Sequence, residues 1–447
     1  MCNNPVFRVG FGRRCITPEE SVPLAGYGNT SKRMSQNILS DLYTTCVAFT
    51  DPNGSTVLLF HNDLVNSKAE CIRPIREAVS AATGVPVDRV MVTATHTHSA
   101  PDLMNKEQPS IPRYLELLKT RLLEAAMEAM ADRKPAAMST GFAYTKMLNF
   151  NRHYFMDDGS VVGDNFGEPS GKTYLTHITE ADPLMQVVKF TREGGKDVLL
   201  VNWQSHPHRT GGSKKYDVSA DIVGAMRDVL EAETGCCFAY FTGGAGNINP
   251  HSRIKEENIT ADYLEQGDAL ARCALSALQN LTEIKTGEIR TLEVIYQGKL
   301  NHTQDHMEAE ANIIRQMFQE TNDAKLCRIE AEKYGIHSAY HANSILRRIN
   351  MPEYKDVEMH AFSIGDLAFV TAPYEMFDVN AKQVRDRSPF RTTFVASCAN
   401  DVNNYIPSSL GYFHGCYESD NSLFHPGTGE ELALKYVEML KELYNAQ

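Results

Sequence analysis

The sequence predicts an α/β protein with a mixed β-sheet core flanked by helices. Apolar runs typical of buried strands alternate with helical patterns through most of the 447 residues, as expected of an α/β architecture. Polar side chains that can bind a metal follow several of these runs, and ligands of open α/β sheets collect beyond the carboxyl ends of strands. Because these side chains come from positions far apart in the chain and must meet, we expect one domain over 1–447.

The first elements occur in the order that such a fold requires. Residues 55–60 form a buried-strand pattern, and Asp63 follows it directly. Residues 67–83 carry a helical pattern, which a capping box of Ser67 and Glu70 would open. A strand followed by a helix at this spacing favours the α/β class.

Further elements continue the alternation and include one exception. Amphipathic helices are predicted over 113–131, after Ser219 and after Thr428. Residues 362–369 form a hairpin pattern with Gly-Asp at the turn. The segment from about 305 to 348 is charged, rich in helix-forming residues and free of proline, which predicts a helical insertion.

Composition restricts the classes of partner and compartment. The net charge of −12 argues against nucleic acid or an anionic membrane as the main partner. No apolar run reaches the roughly 18 residues of a membrane span, and no secretory signal pattern opens the sequence. The ten cysteines form no C-x-x-C pair. We therefore expect a cytoplasmic protein without stable membrane anchoring, and a homo-oligomer stays open.

The strongest chemical signal is a pair of histidines at strand spacing. His96 and His98 end an apolar run, and alternate residues of a strand point to the same face. Three later strand-like runs also lead to residues that can bind metal. The first run leads to His206 and His208, the second to Glu375, and the third passes Asn400 and Asp401 to reach Asn403-Asn-Tyr405. The pattern predicts a metal site where these strand ends meet.

Short stretches in a fixed order form a further pattern. They are Val9-Gly-Phe-Gly12 with Ile16-Thr-Pro18, Leu24-Ala-Gly-Tyr-Gly28, Thr95-His-Thr-His-Ser-Ala-Pro101, Asn151-Arg152, Asn202-Trp203 with His206-Pro207, Ser219-Ala-Asp221, Gly243-Gly-Ala-Gly-Asn-Ile-Asn-Pro250, Pro373-Tyr-Glu375 and Asn404-Tyr-Ile406. Together they make the chain resemble the catalytic domain of the neutral, non-lysosomal ceramidases. The resemblance runs from near residue 8 to near residue 430 and implies the α/β fold of that domain.

The resemblance also implies roles for particular residues. Carried over motif by motif, it implies a zinc ion held by His96, His206, Glu375 and Tyr405. It places His98 near the substrate amide as a residue that does not bind the metal, and Arg152 as an arginine that faces the substrate.

Two departures from the family pattern bear on the site. The spacing from Trp203 to His206 is one residue shorter than usual, which leaves His208 as a rival ligand. Asn247 stands where the family usually has Asp. The C-terminal immunoglobulin-like domain of the secreted ceramidases has no counterpart in the sequence, so we expect a soluble amide to be at least as suitable a substrate as ceramide.

The chemistry of these residues suits hydrolysis. Bound zinc polarises a carbonyl and lowers the pKa of water, and His98 or Tyr405 could stabilise the resulting oxyanion. Asp63 is a candidate for orienting a histidine, and the planar guanidinium of Arg152 suits an anionic group on the substrate.

We therefore predict a zinc-dependent amidohydrolase that cleaves the N-acyl bond of a small molecule, either ceramide-like or a smaller soluble amide. A metal-dependent esterase, lactonase or phosphoesterase on the same fold is one alternative. A non-catalytic homologue that binds a ligand is another.

Overall fold

The computed structural model describes residues 6–27, 32–166 and 171–446. Gly28 of the Leu24 stretch lies outside these residues. The strands are β1 (Arg8–Cys15), β2 (Asn37–Ile38), β3 (Tyr43–Thr50), β4 (Thr56–Asn62), β5 (Val90–Ala94), β6 (Lys134–Tyr144), β7 (Phe150–Asn151), β8 (His153–Met156), β9 (Val161–Gly163), β10 (Tyr174–His177), β11 (Leu184–Arg192), β12 (Val198–Trp203), β13 (Asp217–Val218), β14 (Cys237–Thr242), β15 (Ile248–Asn249), β16 (Thr282–Ile284), β17 (Ile289–Lys299), β18 (Tyr354–Ile364), β19 (Leu367–Thr371), β20 (Glu375–Met376), β21 (Thr392–Ala396) and β22 (Tyr405–Ile406).

The α-helices lie mostly between these strands. They are α1 (Ala69–Thr83), α2 (Ser110–Ala131), α3 (Asp221–Thr234), α4 (Tyr263–Leu278), α5 (Glu308–Thr321), α6 (Ala324–Glu332), α7 (Ala339–Arg348), α8 (Asp378–Asp386), α9 (Ser409–His414), α10 (Tyr417–Asn421) and α11 (Thr428–Asn445).

Two mixed sheets form the centre of the fold. The larger has the strand order β14-β12-β11-β6-β1-β3-β4-β5, with β16 paired to β6, and the smaller has the order β17-β18-β19-β21. In the larger sheet β4 runs parallel to β5 and β12 parallel to β14, while its other pairs are antiparallel. In the smaller sheet β19 runs parallel to β21. The parallel pairs place strand ends side by side.

The two sheets face each other across an aromatic core. The rings of Phe49 and Phe369 are 6.3 Å apart, and those of Phe241 and Phe394 are also 6.3 Å apart, each pair joining the two sheets. The outer face of the larger sheet packs against α1, α2, α3 and α4, and the outer face of the smaller sheet packs against α8 and α11. The result is a helix–sheet–sheet–helix sandwich, in which the strands of the parallel pairs are almost fully buried and read as apolar runs, whereas β6 and β17 are only partly buried.

The predicted mixed sheet core with flanking helices is confirmed. The helical segment expected from about 305 to 348 is also confirmed, because α5, α6 and α7 occupy it and share a small apolar core. The single domain over 1–447 stays a prediction. No helix in the described ranges is long and apolar enough to cross a membrane.

The capping box predicted for the first helix is wrong. The Ser67 hydroxyl is buried without a partner among the described residues, and Lys68 occupies the position before α1. The carboxylate of Asp401 instead accepts a hydrogen bond from the Ala69 N–H at 3.0 Å. A side chain more than 300 positions away replaces the local cap, and the local sequence carries no sign of it.

Candidate metal and amide site

The carboxyl ends of strands from both sheets meet at one place. The Thr242 hydroxyl at the end of β14 donates to the Thr95 carbonyl beyond β5 at 2.8 Å. The Thr242 carbonyl accepts from the N–H of Ser397, which follows β21, at 2.8 Å. The strands that carry His96, His206 and Glu375 therefore end in a common crevice, as the sequence pattern predicts.

Two histidines and one glutamate form the centre of this crevice. Glu375 Oε2 lies 3.2 Å from Nε2 of His96 and 3.3 Å from Nε2 of His206. All three side chains are largely buried. Within the described residues, His96 Nε2 and Glu375 Oε2 have no hydrogen-bond partner despite this proximity. Buried polar atoms without partners are costly, so the arrangement needs an explanation.

The backbone fixes how both imidazoles face the crevice. His96 Nδ1 donates to the Val65 carbonyl at 2.6 Å, and His206 Nδ1 donates to the Ile248 carbonyl at 3.0 Å. Each ring therefore turns its Nε2 toward the crevice, which is the way metal-binding histidines are held by their surroundings. His96 has a φ of 70°, and its N–H bonds to the Leu64 carbonyl at 2.9 Å. This left-handed backbone is held by its neighbours and aims the ring.

The three donor atoms fit a zinc ion. Bonds of about 2.0–2.1 Å in a tetrahedral site place neighbouring ligand atoms about 3.3 Å apart, close to the two distances found. Two imidazoles and one carboxylate are a known ligand set of catalytic zinc. A cation bound there would also satisfy both unpartnered atoms. His98 is close to this set, because His96, His98 and His206 offer nitrogen atoms within 4.8 Å of one another.

The charges of the cluster favour a cation as well. Burial raises the pKa of Glu375, but His96 and His206 outweigh this effect and hold it well below its usual range. Burial, followed by the nearby Arg152 guanidinium, lowers the pKa of His206 to about 3. Burial lowers the pKa of His96, but the Glu375 carboxylate outweighs it and raises the pKa well above the usual value. The ionised Glu375 and the neutral His206 are suitable metal donors, and His96 would release its proton on binding the ion.

His98 lies beside the cluster at the wall of a cavity. Its ring is 5.2 Å from that of His96 and 5.4 Å from that of His206. Burial and the surrounding imidazoles lower its pKa well below the usual value, so the ring is neutral. Gly26 explains the Leu-Ala-Gly-Tyr stretch, because its φ is 100° and a Cβ would approach His98 Cγ to 2.4 Å. The glycine lets the backbone pack directly on this ring.

Tyr405 reaches the same cavity from the smaller sheet side. β22 pairs in parallel with β20, which sets Tyr405 opposite Glu375. Its ring lies 5.4 Å from Cζ of Arg152. Burial, then the Glu375 carboxylate, raises the pKa of the phenol well above its usual value, so the hydroxyl carries its proton. The structure thus brings Tyr405 to the site as a donor, and metal binding by it stays a prediction.

Arg152 is at the site, but its guanidinium is already in use. Arg152 Nε forms an ion pair with the buried carboxylate of Glu418, and Nη2 donates to the Gly246 carbonyl at 2.7 Å. Arg152 Nη1 lies 3.4 Å from Nε2 of His206. Glu418 also accepts from His153 Nε2 at 2.7 Å. The guanidinium of Arg152, which was expected to bind an anion of the substrate, therefore bonds mainly to other residues of the protein.

Glu418 is a residue that the sequence did not reveal. It lies on the short helix α10, outside any strand end, and no motif surrounds it. The helical segment α5–α7 packs behind α10: Ser338 donates to Asp420 at 2.5 Å, and the rings of Tyr340 and Tyr417 are 5.1 Å apart. The insertion thus supports the helix that presents Glu418 and Tyr417 to the site.

Asp63 does not reach the histidines of the site. Its carboxylate forms an ion pair with Arg227 at 2.7 Å and lies 3.2 Å from Nε2 of His61. It also accepts the Tyr43 N–H at 2.9 Å. The histidine that Asp63 orients is therefore His61, whose other nitrogen accepts the Tyr240 N–H at 2.7 Å, and not a histidine of the candidate metal site. A catalytic role for Asp63 is not supported by this placement.

The glycine-rich loop after β14 packs against the strand that carries Glu375. A Cβ on Gly246 would lie 2.8 Å from the Glu375 carbonyl, and the Gly246 N–H donates to the Met376 carbonyl at 2.8 Å. Asn247 donates to Asp378 at 2.8 Å and accepts its N–H at 3.0 Å. An amide at position 247 suits this partner, because two carboxylates there would repel each other.

A cavity of about 520 Å³ lies next to the cluster, and His98, Arg152 and Tyr405 line it. His208 lines it and bonds through Nε2 to Asn249 at 3.0 Å, whereas His206 faces Glu375. This placement favours His206 over His208 as the ligand. The wall also holds Tyr27, Tyr405 and Tyr417 but, among the described residues, no Leu, Ile, Val, Met or Phe.

Comparison with known proteins identifies the fold. No protein-family model matches the chain, and no curated protein sequence matches it. Solved structures do. The neutral ceramidase from Pseudomonas aeruginosa matches with a TM-score of 0.73 at 16% identity, covering 99% of this chain and 75% of that one. A ceramidase complexed with C2 matches with a TM-score of 0.71 at 16% identity, covering 99% and 76%. The chain has a neutral-ceramidase-like fold. The resemblance found in the short motifs is thereby confirmed for the fold.

Proposed function

We propose that this protein is a zinc-dependent hydrolase that cleaves the N-acyl bond of a small, polar amide. The observation that carries the proposal is the pair of buried, unpartnered atoms His96 Nε2 and Glu375 Oε2, which lie 3.2 Å apart beside His206. They stand at converging strand ends in a neutral-ceramidase-like fold, beside His98, Arg152 and Tyr405, which line a cavity. His96, His206 and Glu375 would hold the ion, and Tyr405 is the candidate for a fourth ligand.

Zinc bound there would polarise the amide carbonyl and make water acidic enough to attack near neutral pH. The residues around it supply the other requirements. Where Tyr405 does not itself bind the ion, its phenol keeps its proton and can donate a hydrogen bond to the oxygen that becomes negative. The neutral ring of His98 can take a proton from the attacking water and pass it to the departing amine. Arg152, fixed by Glu418, holds positive charge beside His206 and the Tyr405 ring.

The cavity supports a soluble substrate over ceramide itself. The two long hydrocarbon chains of a ceramide call for an apolar lining, and pockets for such ligands are mostly hydrophobic. Arginines, histidines and tyrosines dominate the wall described here instead. A short acyl group and a polar amine suit this wall better.

The test combines metal analysis with matched substrates. Purified protein should release acetate from short N-acetyl amides, lose this activity with a chelator and regain it with zinc. Faster turnover of the matched acetate esters than of the amides would favour the esterase alternative. A protein that binds zinc and hydrolyses neither would favour the ligand-binding homologue. Preference for detergent-dispersed long-chain ceramide would overturn the soluble substrate.

A further inference from the structure

Three arginines line the cavity, and they differ in their partners. Arg152 pairs with Glu418, and Arg253 pairs with Asp164. The Arg209 guanidinium makes a single hydrogen bond in the described part of the chain, from Nη2 to the Thr260 carbonyl at 2.8 Å. No carboxylate of the described residues forms an ion pair with it, and its buried Nε has no partner there.

The acidic groups nearest to Arg209 are already engaged elsewhere. Asp221 accepts from the backbone N–H groups of Arg209 and Thr210 and from the Thr210 hydroxyl. Asp262 caps α4, and Glu265 accepts the Ala261 N–H at 2.8 Å. These carboxylates reduce the positive potential around Arg209, but none of them forms an ion pair with its guanidinium. A half-buried guanidinium in this state gains from an anionic ligand.

Arg209 lies close to the place where the substrate amide would be cleaved. It comes three residues after His206, which faces Glu375, and it shares the cavity wall with His98 and Tyr405. Gly212 lines the wall nearby, and a Cβ at this position would meet no atom within 4 Å, so the space there is open. A substrate amide placed at the histidines would extend its substituent along this wall.

His251 adds a second donor to the same wall. Its ring lies 5.3 Å from that of His208, and its buried Nδ1 has no partner in the described ranges. Burial, followed by His208, lowers its pKa to about 3, so the ring is neutral and can offer one N–H. A charged fork beside a neutral N–H donor matches the two oxygens of a carboxylate.

We infer that Arg209, together with His251, binds a carboxylate on the substrate, which makes this protein an amidohydrolase for N-acyl amino acids or related acidic amides. The inference rests on the proposed function and replaces Arg152 with Arg209 as the group that recognises the anion. The carboxylate sits either on the amine portion, as in an N-acyl amino acid, or on the acyl portion, as in a monoamide of a dicarboxylic acid.

The test compares acids with their uncharged carboxamides. N-acetylphenylalanine and N-acetylphenylalaninamide represent the amine side, with acetate release as the readout. N-phenethylsuccinamic acid and its carboxamide represent the acyl side, with phenethylamine release as the readout. We expect the wild type to prefer the acid of at least one pair by about 10- to 100-fold in kcat/KM, the size of a charge-assisted hydrogen bond. Whichever pair shows the preference locates the carboxylate.

Variants of Arg209 test whether its guanidinium causes the preference for the acid over the carboxamide. Arg209→Gln should reduce the ratio to near one by raising KM for the acid, with little effect on the carboxamide. Arg209→Lys, which keeps the charge, should retain part of the preference and guards against a folding defect. Arg315→Gln, an exposed arginine on α5, is the control and should keep the full ratio. An unchanged ratio in Arg209→Gln, or no acid preference in the wild type, would overturn the inference.

Direct binding separates this inference from the proposed function. If the wild type hydrolyses none of these amides, the proposed function fails, but titration calorimetry with N-acetylphenylalanine and with N-phenethylsuccinamic acid still tests the anion site. Binding of either acid at least tenfold tighter in the wild type than in Arg209→Gln would support the site. Equal binding of both acids in the two proteins would refute it.

Discussion

Two buried clusters of histidine and glutamate lie side by side in this protein, and they are built differently. In the first, Glu375 lies 3.2 and 3.3 Å from the nitrogen atoms of His96 and His206, and the facing atoms of His96 and Glu375 form no hydrogen bond within the described residues. In the second, Glu418 bonds His153 at 2.7 Å and pairs with Arg152.

The difference shows what each cluster is for. In the second cluster one carboxylate, Glu418, hydrogen-bonds two cationic side chains, Arg152 and His153. The first directs Nε2 of both histidines and Oε2 of Glu375 toward one point, where a cation would displace the His96 proton and complete the cluster. The same residue types therefore give an internal ion pair in one place and a candidate metal site in the other. The histidine tautomers support this distinction, since backbone carbonyls fix Nδ1 of both His96 and His206.

The largest expected effect comes from removing a ligand of the first cluster. His206→Ala should lose bound zinc and nearly all hydrolysis, at least about 1,000-fold, because two donors rarely retain the ion. Elemental analysis and turnover of N-acetyl amides measure both effects. His208→Ala is the matched control and should keep its zinc. Loss of zinc in His208→Ala but not in His206→Ala would exchange the two assignments.

Breaking the second cluster should reduce stability but not metal content. Glu418→Gln leaves the buried charges of Arg152 and His153 without a counterion, which should lower the free energy of unfolding by about 3–5 kcal/mol. Urea denaturation measures this change, and Glu77→Gln, an exposed carboxylate on α1, is the control. A stable Glu418→Gln protein that had lost its zinc would show that the two clusters are not separate in function.

A variant of His98 tests which histidines of the first cluster bind the zinc ion. His98→Ala should retain zinc and lose about 10- to 1,000-fold in rate, because the ring acts on the reacting groups and does not bind the ion. Zinc content and kcat measured on the same sample give the answer. If the variant lost its zinc as completely as His96→Ala, His98 would be a ligand as well.

The smallest effect is a pH dependence of stability that belongs to the second cluster. Burial lowers the pKa of His153, but Glu418 outweighs it and raises the pKa to about 10, above the ordinary 6.5. The stabilisation is therefore complete below pH 6.5 and is lost as the pH rises toward 10. Unfolding free energies measured from pH 6 to 10 should show this loss.

His153→Gln serves as the control for the pH series, because it lacks the titrating group and should show a flatter profile. On the acid side, His153 and Arg152 hold the pKa of Glu418 at about 2 against the effect of burial. That contribution is present above pH 4.5 and is lost as the pH falls toward 2. Identical profiles for wild type and His153→Gln over the alkaline range would contradict the charged pair.

The sequence predicted the meeting of strand ends well and the individual partners less well. His96, His206, Glu375 and Tyr405 could be found because each follows an apolar run, and strand ends of an α/β sheet converge. Asp63 follows such a run too, but the backbone carbonyls of Leu64 and Val65, and not its carboxylate, support His96. The strand-end pattern predicts which segments of the backbone meet at the site, but it does not predict which way each side chain points.

The remaining differences come from contacts between distant segments. Glu418 lies 266 positions from Arg152, on a short helix with no motif, so the ion pair that occupies Arg152 could not be foreseen. Arg209 lies in no recognisable motif either. The role proposed for it depends on a comparison of three arginines: Arg152 and Arg253 each form an ion pair with a carboxylate, and Arg209 forms none within the described residues. Charge pairing over such distances is decided by tertiary packing.

The most direct measurement of the central claim is an anomalous difference map at the zinc absorption edge, from a crystal of zinc-loaded protein. We expect one peak per chain, about 2.0–2.2 Å from His96 Nε2, His206 Nε2 and Glu375 Oε2. We expect none at His153, Cys416 and Glu418, which also lie within ligand distance of one another. A map without a peak in the first cluster, or with its peak in the second, would contradict the account.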